Sequence, residues 1–191
     1  MSKSDKREEI VRAALELIAE NGFHAAPMAM IADRAGVGAG TIYRYFENKD
    51  VLIGELYKDL EEKMLPVIQE GYDINAPLRE RFLHLGTRIL RYFIENPLHF
   101  RFIEQFHNSP YGVEHRRDKI LGEKNGCNIF RELFEDGLSQ QLLKAFPLTI
   151  LFALSFGPIV NLARDHILGF VVMDETLIVA AIEACWDSIS K

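Results

Sequence analysis

The stretch Ile31-Ala32-Asp33-Arg34-Ala35-Gly36-Val37-Gly38-Ala39-Gly40-Thr41-Ile42-Tyr43-Arg44-Tyr45-Phe46-Glu47-Asn48-Lys49 decides how this chain is read. A short helix is predicted from Pro27 to Ala35, with proline in the first turn, where its missing N–H costs nothing. Gly36 ends it, and after Gly36-Val37-Gly38 a second short helix covers Ala39 to Phe46. Two short helices joined by a glycine-containing turn, with a helix on either side, describe a helix-turn-helix. On the second helix Ile42 and Phe46 lie one turn apart and face inward. Gly40, Thr41 and Arg44 face outward, with Tyr43 and Tyr45 on the flanks. Ala32 and Ala35 are small, which lets the two helices cross closely. The outward set suits a recognition helix: a cation able to fork onto guanine or phosphate, a hydroxyl, two phenols, and glycine where backbones approach. Lys49, opening the next helix, adds a charge beside free N–H groups that favour a phosphate. A solvated face could carry the same residue types, but two phenols on one short helix weigh against it, because tyrosine usually finds a partner for its hydroxyl.

Outward from this stretch the chain reads as helices throughout, since apolar residues recur at three- and four-residue spacing. The first is predicted from about Asp5 to Glu20, with Asp5 and Glu8 as a capping box, an apolar stripe through Ile10, Val11, Ala14, Leu17 and Ile18, and a stop at Asn21-Gly22. A longer helix, 49–70, connects the two parts of the chain. Beyond Gly71 the predicted helices are Pro77–Glu95, Pro97–Phe106, Glu114–Asp136, Phe146–Leu168 and Asp174–Ser190, each bounded by Pro, Gly or Asn. The expected fold class is therefore all-α, about nine helices: a three-helix helix-turn-helix domain over 1–50 and a second helical domain over 51–191.

The motif from Ile31 to Lys49 closely resembles that of the TetR (AcrR-type) regulators. Their signature runs through Ile-Ala, Ala-Gly-Val, Gly-Thr-Ile-Tyr, Tyr-Phe and a following Lys-x-x-Leu, here Lys49-Asp50-Val51-Leu52. The resemblance covers residues 8 to 60 by motif, and the rest by length and helical layout. It implies that Thr41, Tyr43, Arg44 and Tyr45 face double-stranded operator DNA, with Gly40 beside them, and that Lys49 takes a phosphate. This chain departs from the pattern at Ala26-Pro27 and Ala29, where a Thr or Ser and then a basic residue are common, and at Gly38-Ala39, where many members carry Ser-Lys. The first departure removes a cap and a base reader, and the second a side-chain cap and a cation. Glycine as an N-cap costs only a few tenths of a kcal/mol relative to serine.

Composition bounds the alternatives. With 48% hydrophobic and 26% charged residues the chain falls among ordinary globular proteins. The net charge is −6, and residues 1 to 50 hold seven Lys/Arg against eight Asp/Glu, so DNA binding rests on placement and not on bulk charge. Cys127 and Cys185 form no metal-spaced or disulfide pattern, and the polar N-terminus lacks a signal-peptide pattern, so a cytoplasmic protein without a structural metal is expected. Leu148 to Ala163, interrupted by Pro158 and Asn161, falls short of the roughly 20 apolar residues of a spanning helix; it is read as a buried helix, kinked at Pro158, and no membrane is expected. No nucleophile elbow, phosphate loop or dinucleotide turn points to an enzyme, and the pair His115 and Asp118 suits a solvated helix face. No cofactor is expected. A helical adaptor that binds only protein is the other reading.

The resemblance further implies a variable effector-binding region and a dimer built from the last two helices, which suits a pseudo-palindromic operator. Phe152, Val160, Ile178, Ile182 and Trp186 are the expected dimerisation residues. The aromatic-rich helices suggest a mostly apolar pocket with a few polar anchors, lined by Arg88, Tyr92, Phe102, Phe106, Phe152 and Phe156 and suited to a hydrophobic or aromatic small-molecule effector. The expected function is a transcriptional repressor, a homodimer released from its operator by that effector.

Overall fold

The computed structural model describes residues 3–121 and 129–191. Its described residues form ten α-helices: α1 (Lys3–Asn21), α2 (Met28–Arg34), α3 (Ala39–Ile42), α4 (Lys49–Gln69), α5 (Leu78–Glu95), α6 (Pro97–His107), α7 (Pro110–Leu121), α8 (Ile129–Ser139), α9 (Leu148–Ile167) and α10 (Glu175–Ile189). One isolated antiparallel bridge joins Leu143 to Ser190. The all-α class is as expected. Cys127 and the middle of the expected helix from Glu114 to Asp136 lie outside the described residues.

Two boundaries differ from the sequence reading for identifiable reasons. α1 is already helical at Lys3, so Asp5 lies not at the N-cap position but inside the first turn, where a carboxylate complements the N-terminal dipole. Ser109-Pro110, read only as a stop, also starts α7. Pro110 takes the first helical position, Val113 N–H bonds to Ser109 O at 3.1 Å, and the Ser109 hydroxyl donates to Phe106 O at 2.6 Å. Gly112 makes this sharp join possible, because a Cβ there would lie 2.1 Å from Phe106 O.

The chain forms two compact units: residues 3–64 with 96–113, and residues 65–95 with 114–121 and 129–191. The division does not follow the sequence boundary at residue 50, since α4 runs from the first unit into the second and α6 belongs to the first. In the first unit Ile10, Ile18, Ile31, Ile42, Phe46, Leu52 and Leu56 are fully buried. Burying each such side chain contributes about 1.5–3 kcal/mol. α6 packs along α1, and Gln105 Nε2 donates to Ile18 O at 2.9 Å, a second bond to a carbonyl that also accepts Gly22 N–H at the end of α1.

In the second unit α5 lies against α8, α9 and α10. Gly86 sits at the crossing with α9 and α10: a Cβ there would come within 2.8 Å of Ile182 Cγ2 and 3.5 Å of Ile159 Cδ1. Buried Arg81 is held by the Asp136 carboxylate at 2.8 Å and the Tyr72 hydroxyl at 2.9 Å, so its charge is not left unpaired.

α9, read as a buried helix, buries one stripe only: Leu151, Ser155, Ile159 and Ala163. By length and composition it could cross a membrane, and its Ile150 and Leu154 are exposed within this chain. Apolar residues all round a helix require cover on two sides; the described residues supply one. Pro158 removes the bond that Leu154 O would accept inside the helix, and the Ser188 hydroxyl donates to that carbonyl at 3.2 Å instead.

Candidate nucleic-acid interface

The turn between α2 and α3 follows from glycine at position 36. Gly36 takes φ +65°, its N–H bonds to Asp33 O at 3.1 Å, and Val37 N–H reaches back to Ala32 O at 2.9 Å. This is the doubly bonded helix end that a left-handed residue permits, and it turns the chain sharply enough to start α3 at once. Gly38 occupies the N-cap of α3 without a side-chain bond, as its composition requires. Regular helix ends at Ile42, short of the expected Phe46. The coil continues through tighter bonds, Arg44 N–H to Thr41 O at 3.1 Å and Tyr45 N–H to Ile42 O at 3.0 Å, until Phe46 N–H returns to Ile42 O at 3.0 Å.

Ile42 and Phe46 are fully buried, which fixes the rotation of this segment. Arg44 and Gly40 are consequently exposed, Thr41 and Tyr45 are half-buried, and Tyr43 keeps 55% of its surface in solvent. A Cβ on Gly40 would meet nothing within 4 Å, so packing within the chain does not demand a glycine there. Charge on the unit is arranged to leave Arg44 available. Arg7 is held by Glu55 and Asp59, Arg12 by Glu9, and Arg34 by Glu16 and Glu20. Among the described residues Arg44 has no carboxylate within ion-pair distance.

Lys49 stands differently from the rest. It opens α4, but its ammonium donates to Phe23 O, in the loop after α1. Burial holds its pKa below the usual lysine value, and neighbouring Asp50 opposes that shift. Sequence reasoning missed this bond, and also the Tyr111 hydroxyl, which donates to Asp50 Oδ1 at 2.6 Å. That hydrogen bond, followed by burial, raises the tyrosine pKa. Both bonds join residues far apart in sequence, and no local pattern announces either. Asn48 caps α4 through Oδ1, which accepts from Val51 N–H at 2.9 Å.

The other predicted site residues do not come together. Phe102 and Phe106 lie in the first unit, in an aromatic cluster with Phe23, Tyr57 and Tyr111; Tyr57 stacks on Phe106 at 4.0 Å. Phe152 and Phe156 belong to a second-unit cluster with Phe82, Phe130, Phe134 and Trp186. Tyr92 is buried in the same unit, and Arg88 lies about 120° round α5 from Phe82. Ile178, Ile182 and Trp186, expected at a dimer interface, are buried in the chain's own core, where α5 already covers them. Phe152 and Val160 are half-buried. The apolar spacing of α9 and α10 does not tell what covers them, and for Ile178, Ile182 and Trp186 that cover is α5.

The two-helix unit, with an exposed cation on the coil that continues its second helix, defines a DNA-binding helix-turn-helix regulator. Residues 10–56 match the family model for bacterial regulatory proteins of the tetR family, and residues 77–190 match that of a tetracyclin repressor-like C-terminal domain. The chain belongs to the TetR family of transcriptional regulators, which are not enzymes. It is 28% identical to an HTH-type transcriptional regulator of Haemophilus influenzae, across 100% of this chain and 98% of that one. It is 30% identical to a fatty acid metabolism regulator protein of Bacillus subtilis, across 92% and 83%. Among solved structures, a TetR-family transcriptional regulator from H. influenzae superposes with a TM-score of 0.81 at 26% identity, across 99% of this chain and 98% of that one. A TetR family protein from Vibrio parahaemolyticus gives 0.76 at 34%, across 97% and 99%.

Proposed function

We propose that this regulator is a cytoplasmic repressor that grips its operator through the α2–α3 segment as a homodimer and is released by a small, mainly hydrophobic or aromatic effector. One observation carries the DNA contact: buried Ile42 and Phe46 turn Gly40, Tyr43 and Arg44 outward, with Arg44 unpaired among the described residues. Arg44 reads a base edge or phosphate, Thr41, Tyr43 and Tyr45 flank it, and bare Gly40 admits the DNA backbone closely. Lys49 reaches a phosphate with the donors left over from Phe23 O.

The dimer forms on the faces left uncovered within the chain. Ile150, Ala153, Leu154 and Gly157 line one side of α9, and Leu177, Ala180 and Ala184 line α10. The Ser188–Leu154 hydrogen bond puts the two stripes side by side. The small residues let helices of two copies approach closely. The effector enters the second unit at the aromatic cluster, where Phe130, Phe152 and Phe156 are only half-buried. A relative that regulates fatty acid metabolism supports a hydrophobic ligand. Release follows by linkage, the effector binding more tightly to a dimer whose recognition helices no longer match successive major grooves. α4, one helix shared by both units, carries the change.

The test is selection of DNA from a random pool by the full chain, followed by gel-shift titration at two salt concentrations with the wild type and an Arg44→Ala, Tyr43→Phe double variant. A pseudo-palindromic site whose binding weakens with salt and disappears in the folded double variant is expected. Failure to enrich any sequence would overturn the proposal.

A further inference from the structure

A cleft of about 420 Å³ lies in the second unit between the end of α4, α5 and α10, lined by Glu70, Leu83, His84, Thr87, Arg88, Arg91 and Val179. His84, Thr87, Arg88 and Arg91 follow one another at helical spacing on the side of α5 away from Phe82, so this cleft is separate from the aromatic cluster. Its polar wall is cationic and loosely tied down. Arg88 Nε donates to Val67 O at 3.0 Å, and its Nη2 pairs with Glu70. Arg91 Nη2 pairs with Glu175, while its Nε is buried with no hydrogen-bond partner. Both carboxylates are open to water, Glu70 at 77% and Glu175 at 69% exposure. Exposed pairs of this kind are weak and exchange readily. The Arg91 pair is also one-pronged, leaving unused one of the two parallel N–H groups with which a guanidinium grips an oxyanion. Leu83 and Val179 supply an apolar wall beside the arginines.

We propose that this cleft binds a small molecule bearing a carboxylate or phosphate, whose oxyanion displaces Glu70 and Glu175 from Arg88 and Arg91 while its apolar part rests on Leu83 and Val179. Arg91 then uses Nε and Nη2 together. Arg88 already holds the last turn of α4 through Val67 O and the residue after it, Glu70, through its carboxylate, so occupancy rearranges the end of the helix that starts after α3. The site is independent of the aromatic cluster and stands whether or not an effector enters there.

The experiment titrates the full chain with inorganic phosphate, acetate and hexanoate at constant ionic strength, following arginine Nε–Hε resonances by NMR. Arg91 is assigned by loss of its signal in Arg91→Lys. Saturable movement of that signal is expected with phosphate, with hexanoate, or with both, and the responding probe tells a phosphate ligand from a carboxylate. Hexanoate binding more tightly than acetate places the apolar part on Leu83 and Val179. A Glu70→Gln, Glu175→Gln variant, freed of its internal competitors, binds the responding probe up to about fivefold more tightly, the upper end of what an exposed ion pair contributes. Arg88→Met with Arg91→Met weakens binding at least about tenfold. No saturation by roughly 50 mM of any probe overturns the proposal, as does a glutamine variant that binds no more tightly than the wild type.

Discussion

Gly40→Ala separates what the fold needs from what the DNA needs. The backbone at Gly40 is not in the left-handed region, and a Cβ there meets no heavy atom within 4 Å, so the folded chain accepts the methyl group without adjustment. Alanine restricts the unfolded chain, and such replacements stabilise by about 0.4–1 kcal/mol where the native backbone is compatible. For a chain of this length that raises Tm by roughly 1–4 °C. A glycine in a helical segment with no internal reason for it implies an external one. If the DNA backbone passes against the α3 surface at this point, the methyl group fills space that the contact requires. Losing one well-made contact at such an interface costs about 1–3 kcal/mol, or roughly 5- to 150-fold in affinity. The assay pairs thermal unfolding, in the absence of DNA, with fluorescence anisotropy against the selected operator at fixed salt. A more stable protein with weakened binding is expected. Unchanged affinity in the stabilised variant would refute the placement of Gly40 at the DNA, and a fall in Tm would refute the open space around it.

Gly86→Ala behaves in the opposite way. Its Cβ would approach Ile182 Cγ2 to 2.8 Å inside a packed helix crossing, and overpacking of this kind costs about 1–3 kcal/mol, more than the gain in helix propensity; denaturant unfolding measures the loss, and a background Ile182→Ala substitution makes the same change less costly. If the proposed dimer forms on the exposed face of α9, Leu154→Arg leaves secondary structure intact, which circular dichroism checks, but gives a monomer in light scattering and abolishes operator binding at concentrations that saturate the wild type. Burial raises the pKa of Tyr57 and of Tyr92, and a hydrogen bond to Asp50 together with burial raises that of Tyr111. Above the ordinary phenol value of about 10 the unfolded chain releases protons that the native chain keeps, so stability falls as pH rises through the folded values. Lys49 acts with the opposite sign below the usual lysine value, because its lowered pKa makes the native chain the one that releases its proton first. Denaturant midpoints measured from pH 9 to 12 should decline steeply at the alkaline end, and less steeply in Tyr57→Phe.

Much of this protein is legible in its local sequence. The α2–α3 turn follows from Gly36, whose left-handed backbone only a glycine adopts cheaply, and from the apolar spacing of Ile42 and Phe46. Those signals lie within a few residues of one another, so the outward face of Gly40, Tyr43 and Arg44 is legible locally, and burial of Ile42 and Phe46 then fixes it. Helix periodicity likewise marks which faces of α5, α9 and α10 are apolar. What covers each face is not a local property. The stripe of Ile178, Ile182 and Trp186 reads equally well as an interface or as core, and only the approach of α5 at Gly86, close enough to exclude a Cβ, makes it core. The same non-local packing puts α6 and its Phe102 and Phe106 on α1, ties Lys49 to the Phe23 carbonyl, and brings Arg88 and Arg91 to the cleft beside α10. Sequence spacing fixes the direction a side chain takes from its own helix, and tertiary structure alone decides which partner stands there.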